Sequence, residues 1–157
     1  MSKLSLPVAR LIRENVSVLM THAFSRMPLQ EWASKSLQGE FKQFHETIFG
    51  MADQRAEKAC LELAIFLRYL DDEENLSERY AGYSGMSFGY LHFRNGKSDS
   101  LQLRDVANKI IHAVAFRWDF SAPHRPMLVC LSRDEERWER AEIEVATLSV
   151  ACGSLMG

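Results

Sequence analysis

The sequence predicts an α+β fold: a mainly helical bundle with a small antiparallel β-sheet in the C-terminal half. Three observations carry this. Apolar side chains recur at helical spacing through the first seventy residues. Asn95-Gly96 then gives a strong turn signal. After Met127 a short apolar run is followed by strict alternation, which suits a hairpin of two strands.

The elements follow in order. Leu4 to Met27 reads as a helix, with Leu4, Val8, Leu11, Ile12, Val16 and Leu19 on one side and Arg10, Arg13 and Glu14 on the other. Pro7 fits only in a first turn, so the helix starts around Ser5, and Pro28 is expected to end it. Pro28 to Phe49 forms a second helical segment, weakened at Gly39 and stopped at Gly50. Ala52 to Leu70 is the third and most buried helix. The four acids Asp71 to Glu74 oppose the negative pole of its dipole, so fraying or a loop is expected there.

Leu76 to Gly89, punctuated by glycines, reads as a structural loop. Its spacing fits neither a phosphate-binding glycine loop nor a nucleophile elbow. Ser87 to Phe93 can form a short strand. Asp99 is placed to cap the next helix, with Gln102 three residues on. That helix, Leu101 to Phe120, is the organising element. Ala122 to Pro126 is then a loop, Met127 to Leu131 a buried strand and Arg133 to Glu136 a charged turn. Arg137 to Val145 is the hairpin partner, although its glutamates and alanine also admit a helix. Val145 to Leu155 closes the chain as a short helix. At 157 residues, with no repeat and no linker-like tract, residues 1–157 are expected to form one domain.

Composition narrows the function. A net charge of -2 argues against a protein that coats nucleic acid. Cys60, Cys130 and Cys152 are far apart and form no C-x-x-C, so reduced, buried thiols of a cytoplasmic protein are expected. Arg10, Arg13 and Glu14 interrupt any secretory signal, and Cys60 to Leu70 is too short to span a bilayer, so no membrane partner is expected. The five histidines form no metal-ligand spacing, and neither a metal nor a cofactor is expected. His92 and His124 could approach His112 if strand and loop flank the central helix. Phe116, Arg117, Trp118 and Phe120 can stack on bases, but plugging the core is the favoured role.

On the central helix Leu103, Val106, Ala107, Ile110 and Val114 share one apolar sector. Arg104, Asn108 and His112 recur at every fourth position away from it, flanked by Asp105 and Lys109. Histidine can move protons near neutrality, and arginine offers a permanent fork for a phosphate. A base and a phosphate-stabilising cation suffice for RNA cleavage by the 2′-hydroxyl without metal. Arg104 and His112 are therefore the catalytic candidates, and Asp105, Asn108 and Lys109 the binding candidates. The same row also suits a solvated or partner-facing side.

The run LRDVANKIIHA, residues 103–113, resembles the conserved helix of HEPN-type proteins, mostly small helical bacterial domains. In that family an arginine followed by a polar residue precedes a histidine by four to six intervening residues. Arg104, Asp105 and His112 match these, with seven residues intervening here. Many members are metal-independent RNases and others are inactive dimerising or binding modules. Two functions are thus expected. The first is a non-catalytic interaction or regulatory protein of bacterial accessory, antitoxin-like or immunity-like type. Its partner would be a protein, with a toxin one class and a second copy another. The alternative is a HEPN-like metal-independent endoribonuclease acting on RNA through Arg104 and His112 across a dimer.

Overall fold

The structure is a computed structural model that describes residues 5–39, 42–76, 78 and 87–155. It is α+β. Four helices and a five-stranded antiparallel sheet in the C-terminal half follow the order α1 (Ser5–Ser36), α2 (Lys42–Glu74), β1 (Gly89–His92), β2 (Ser98–Ser100), α3 (Leu103–His112), β3 (Ala113–Asp119), β4 (Met127–Ser132), β5 (Arg140–Glu144), α4 (Val145–Leu155). Most of the loop expected at Leu76 to Gly89 lies outside the described residues.

α1 and α2 form a long antiparallel hairpin. Two expected breaks are absent. Pro28 lies inside α1, which runs on to Ser36. Position 28 is exposed, so water can take the carbonyl that the missing N–H would have bonded, and buried Ala23 and Ala33 hold the helix on either side. Gly50 does not stop α2 either. Its cost of about 1 kcal/mol is outweighed by Phe49 and Ala56, both buried in the hairpin. The break falls between the hairpin's arms, where Gly39 takes a left-handed φ of 65°.

The acids Asp71 to Glu74 stay helical. Arg68 and Arg104 stand against Asp71 and Asp72 and offset the unfavourable end of the dipole. Asn75 ends the helix in the left-handed region at φ 52°, its N–H bonded to the Asp71 carbonyl at 2.9 Å.

The sheet order is β2-β1-β5-β4-β3. β1 matches the predicted strand, and the turn at Asn95-Gly96 feeds β2, which was not expected. Asp99 pairs with Leu91 inside β2 and so caps no helix. Gln102 is the N-cap of α3 instead, its N–H donating to Asp105 Oδ2 at 3.3 Å in a capping-box arrangement. Gly89 has φ 136°, and a Cβ there would sit 1.8 Å from the Glu142 carbonyl oxygen, so β1 meets β5 only with glycine at this point. Of the residues that admitted either state, 137–145, Arg140–Glu144 form β5, paired antiparallel to β4 as the alternation implied, while Arg137 lies in the preceding turn and Val145 begins α4.

The largest correction concerns Leu101 to Phe120, which is not one helix. α3 ends at His112 and the chain passes directly into β3, with Ala113 already extended at φ -67°, ψ 141°. Phe116 and Trp118 turn to the core while Ala115, Arg117 and Asp119 stay exposed. Phe116 and Trp118 do pack against the core, but from a strand, whereas Arg117 is exposed and Phe120, just past the strand, lines a groove against α1.

The helices cover one face of the sheet. α3 packs on α2, β4 and β5, and α4 on α1 and β5. Leu128, Cys130, Ala141 and Ile143 meet Leu63, Leu67, Val106 and Ile110 in a continuous buried cluster. The other face carries charge. His92 Nε2 lies 3.1 Å from Glu142 Oε2, and Arg140 Nε donates to Glu142 Oε1 at 3.0 Å. Burial favours the neutral Glu142 carboxyl, but the hydrogen bonds from Arg140 and His92 outweigh it and hold the carboxyl below its ordinary range.

Candidate functional site

α3 buries the sector that the rotation count selects. Leu103, Val106, Ala107 and Ile110 face the core, whereas Val114 belongs to β3 and is 51% exposed. The polar row turned away from that sector divides into two unlike ends.

At the first turn the groups are engaged in holding α3 to α2. Arg104 Nη1 stands 3.3 Å from Asp71 Oδ2, and its Nη2 3.9 Å from Asp72 Oδ1. Asp71 is buried while Arg104 is half exposed, so this pair is partly shielded from screening. Asp105 serves the cap. One turn on, Arg68 of α2 donates to Asn108 Oδ1 and also lies 3.6 Å from Asp72 Oδ2.

At the last turn the row opens on a cleft of about 700 Å³. α3 contributes Asn108, Lys109, Ile111 and His112, and Arg68 enters from α2. Arg133, Asp134 and Arg137 come from the β4–β5 turn, and Trp138 with Phe93 supplies an apolar side. The Lys109 ammonium stands 4.8 Å from the centre of the Trp138 ring, within cation–π range. Burial pushes the Lys109 amine below its ordinary value, with Asp105 opposing. Arg137 pairs with Asp134 at 3.3 Å, but both are exposed, so the pair contributes little.

The structure thus brings together Asn108, Lys109 and His112. It does not bring Arg104 to them, and Asp105, although close enough to act on Lys109, does not line the cleft. Arg104 and His112 are eight positions apart, about 12 Å along the helix axis, and Arg104 is turned to the acids of α2. His92 and His124 do not join His112 either. His92 Nδ1 lies 2.8 Å from Ser98 Oγ on the outer sheet face, and His124 lines a separate groove against α1.

The lining residues that the sequence reading missed are Arg68, Arg133, Arg137 and Trp138. One signal pointed to Arg68: it is a cation in the most apolar helix, where a charge needs a reason. The charged turn expected at Arg133 to Glu136 is exposed, but together with Arg137 and the buried Trp138 it folds back over the end of α3.

The chemistry available is anion binding. Arg68, Lys109, Arg133 and Arg137 are four cationic side chains at neutral pH against the single carboxylate of Asp134 in the lining, in a chain whose net charge is -2. Ser132, the hydroxyl in the cleft, accepts the Asp134 N–H at 3.0 Å and serves the turn. The three thiols are buried, and burial pushes Cys130 and Cys152 up to about 12 and Cys60 well above its ordinary value. Such thiols are poor nucleophiles. Among the described residues no three His, Cys, Asp or Glu side chains are grouped to hold a metal ion, and no helix is long and apolar enough to cross a membrane. The chain matches no known protein family, no curated protein and no solved structure.

Proposed function

We propose that the chain is a non-catalytic interaction or regulatory protein that binds a protein partner through the cleft at the end of α3. One observation carries this reading: four cations and His112 converge on one opening, while Arg104, needed for cleavage chemistry, is engaged by Asp71 outside it. A partner presenting acidic side chains beside apolar ones fits the cations and the Trp138 side. Antitoxin-like or immunity-like restraint of a toxin is one form such binding takes. The competing reading, a HEPN-like metal-independent endoribonuclease, needs Arg104 and His112 on the same phosphate.

A fluorescein-labelled polyglutamate peptide is a direct probe. Saturable binding is expected, weakened roughly tenfold in Lys109→Glu and Arg133→Glu with the circular dichroism unchanged. Equal affinity in wild type and both variants would remove the cleft as the binding surface. Incubation with structured RNA tests the other side. Cleavage abolished by His112→Ala would overturn the non-catalytic reading.

A further inference from the structure

The sheet ends on two unlike edges. β2 is the three-residue segment Ser98–Ser100, exposed throughout, and an edge so short and polar offers a neighbour little. β3 has seven residues, AVAFRWD, and among the described residues its one strand neighbour is β4. Next to the end of β3 lies an open groove of about 570 Å³, to which Phe24 and Met27 of α1, Phe120 and Pro123 contribute. Phe24 and Met27 are 42% and 44% exposed.

We propose that a second copy of this chain covers that edge. The two β3 strands pair antiparallel about a two-fold axis at Trp118 and join two five-stranded sheets into one. The argument is charge register. Directly opposed residues of an antiparallel pair share a face, and a two-fold axis makes every cross-strand contact reciprocal. Arg117 and Asp119 lie two apart on the exposed outer face of β3. Centring the pair on Trp118 sets Arg117 of each copy opposite the partner's Asp119, twice, and Phe116 opposite the partner's Phe120. Centring on Arg117 opposes two cations, centring on Asp119 opposes two carboxylates, and centring on Phe116 leaves Arg117 facing alanine. Asp119 is exposed; its Oδ1 accepts the Ser121 N–H at 2.9 Å, and the Ser121 side chain also bonds this carboxylate, which holds it in place at the strand end.

Two features that commonly protect an edge do not block this register. The irregularity between Ala113 and Ala115 lies outside the paired segment 116–120, and the charges point out of the sheet rather than across the edge. Five paired residues are too few for the roughly 1,200 Å² of a stable interface. The exposed Phe24 and Met27 beside the strand supply apolar surface toward the remainder. The inference goes beyond the cleft reading and is independent of it, because the cleft reaches β3 at Ala113, before the paired segment.

Sedimentation velocity of the full chain over a rising concentration series tests it. A dimer is expected. Arg117→Asp should weaken it by about tenfold or more, and combining Arg117→Asp with Asp119→Arg should return it to within about threefold of wild type. Circular dichroism of each variant checks that the exposed substitutions leave the fold intact. A wild-type chain that stays monomeric at its solubility limit overturns the proposal, including the case in which this edge takes a strand from a different protein. A dimer indifferent to Arg117→Asp, or one that the charge swap does not restore, overturns it equally.

Discussion

The two ends of α3 are built from the same kinds of residue and do opposite work. At the first turn every charged group is engaged: Arg104 with Asp71 and Asp72, and Asp105 with the Gln102 N–H. At the last turn Lys109 and His112 face an open cleft, and among the described residues no hydrogen bond holds His112. The difference teaches that a row of polar residues on one helix is not one site. Position relative to the neighbouring elements decides which members fasten the helix and which remain free to meet something else. α2 supplies two carboxylates beside the first turn, and the β4–β5 turn supplies cations beside the last.

The largest effect should come from breaking the fastened end. Asp71→Ala removes the buried carboxylate that anchors Arg104 and is expected to cost about 2 kcal/mol, since Arg104 is half exposed and can return to water. Urea denaturation would read this as a lowered midpoint at unchanged slope. A shift worth under about 0.5 kcal/mol would mean that the pair does not hold α3 to α2. Asp105→Ala is expected to cost less, about 1 kcal/mol, because it removes the N-cap interaction while the apolar face of α3 stays packed. Hydrogen exchange should then quicken in the first turn of α3 before it does in α2.

The helical character of the first seventy residues and the β4–β5 pair are legible in the sequence because their periods, near 3.6 and 2, are long or clean. Boundaries were less so. Pro28 and Gly50 are local stop signals, overridden here by Ala33, Phe49 and Ala56 in the hairpin. Leu101 to Phe120 misled for a different reason. Ile110 and Val114 continue a helical stripe, while Ala113 to Asp119 also alternates, and only the neighbouring β4 selects the second pattern. Of the site, Asn108, Lys109 and His112 could be found, since helical spacing puts them on one side. Arg68, Arg133, Arg137 and Trp138 could not, since they converge through tertiary packing of segments up to seventy residues apart.

The open end should respond least in stability and most in binding. Lys109→Ala and His112→Ala are each expected to change unfolding free energy by no more than about 0.5 kcal/mol, since Lys109 is half-buried and His112 exposed, both outside the core. For Lys109 the contact with Trp138 sets the upper part of that range. If either costs as much as Asp71→Ala, the contrast between the two ends fails.

pH sharpens the same point. Burial lowers the Lys109 amine from its ordinary value of 10.5, so its charge is lost as pH rises through a window that opens below that value. The protonated form attracts an anion, hence affinity for the polyglutamate probe should fall as pH climbs toward that window, ahead of the exposed lysines. Lys109→Gln should lower the affinity at neutral pH and flatten the pH profile through that window. A profile identical in the two proteins would place the anion away from Lys109 and leave Arg133 and Arg137 as the cations that hold it.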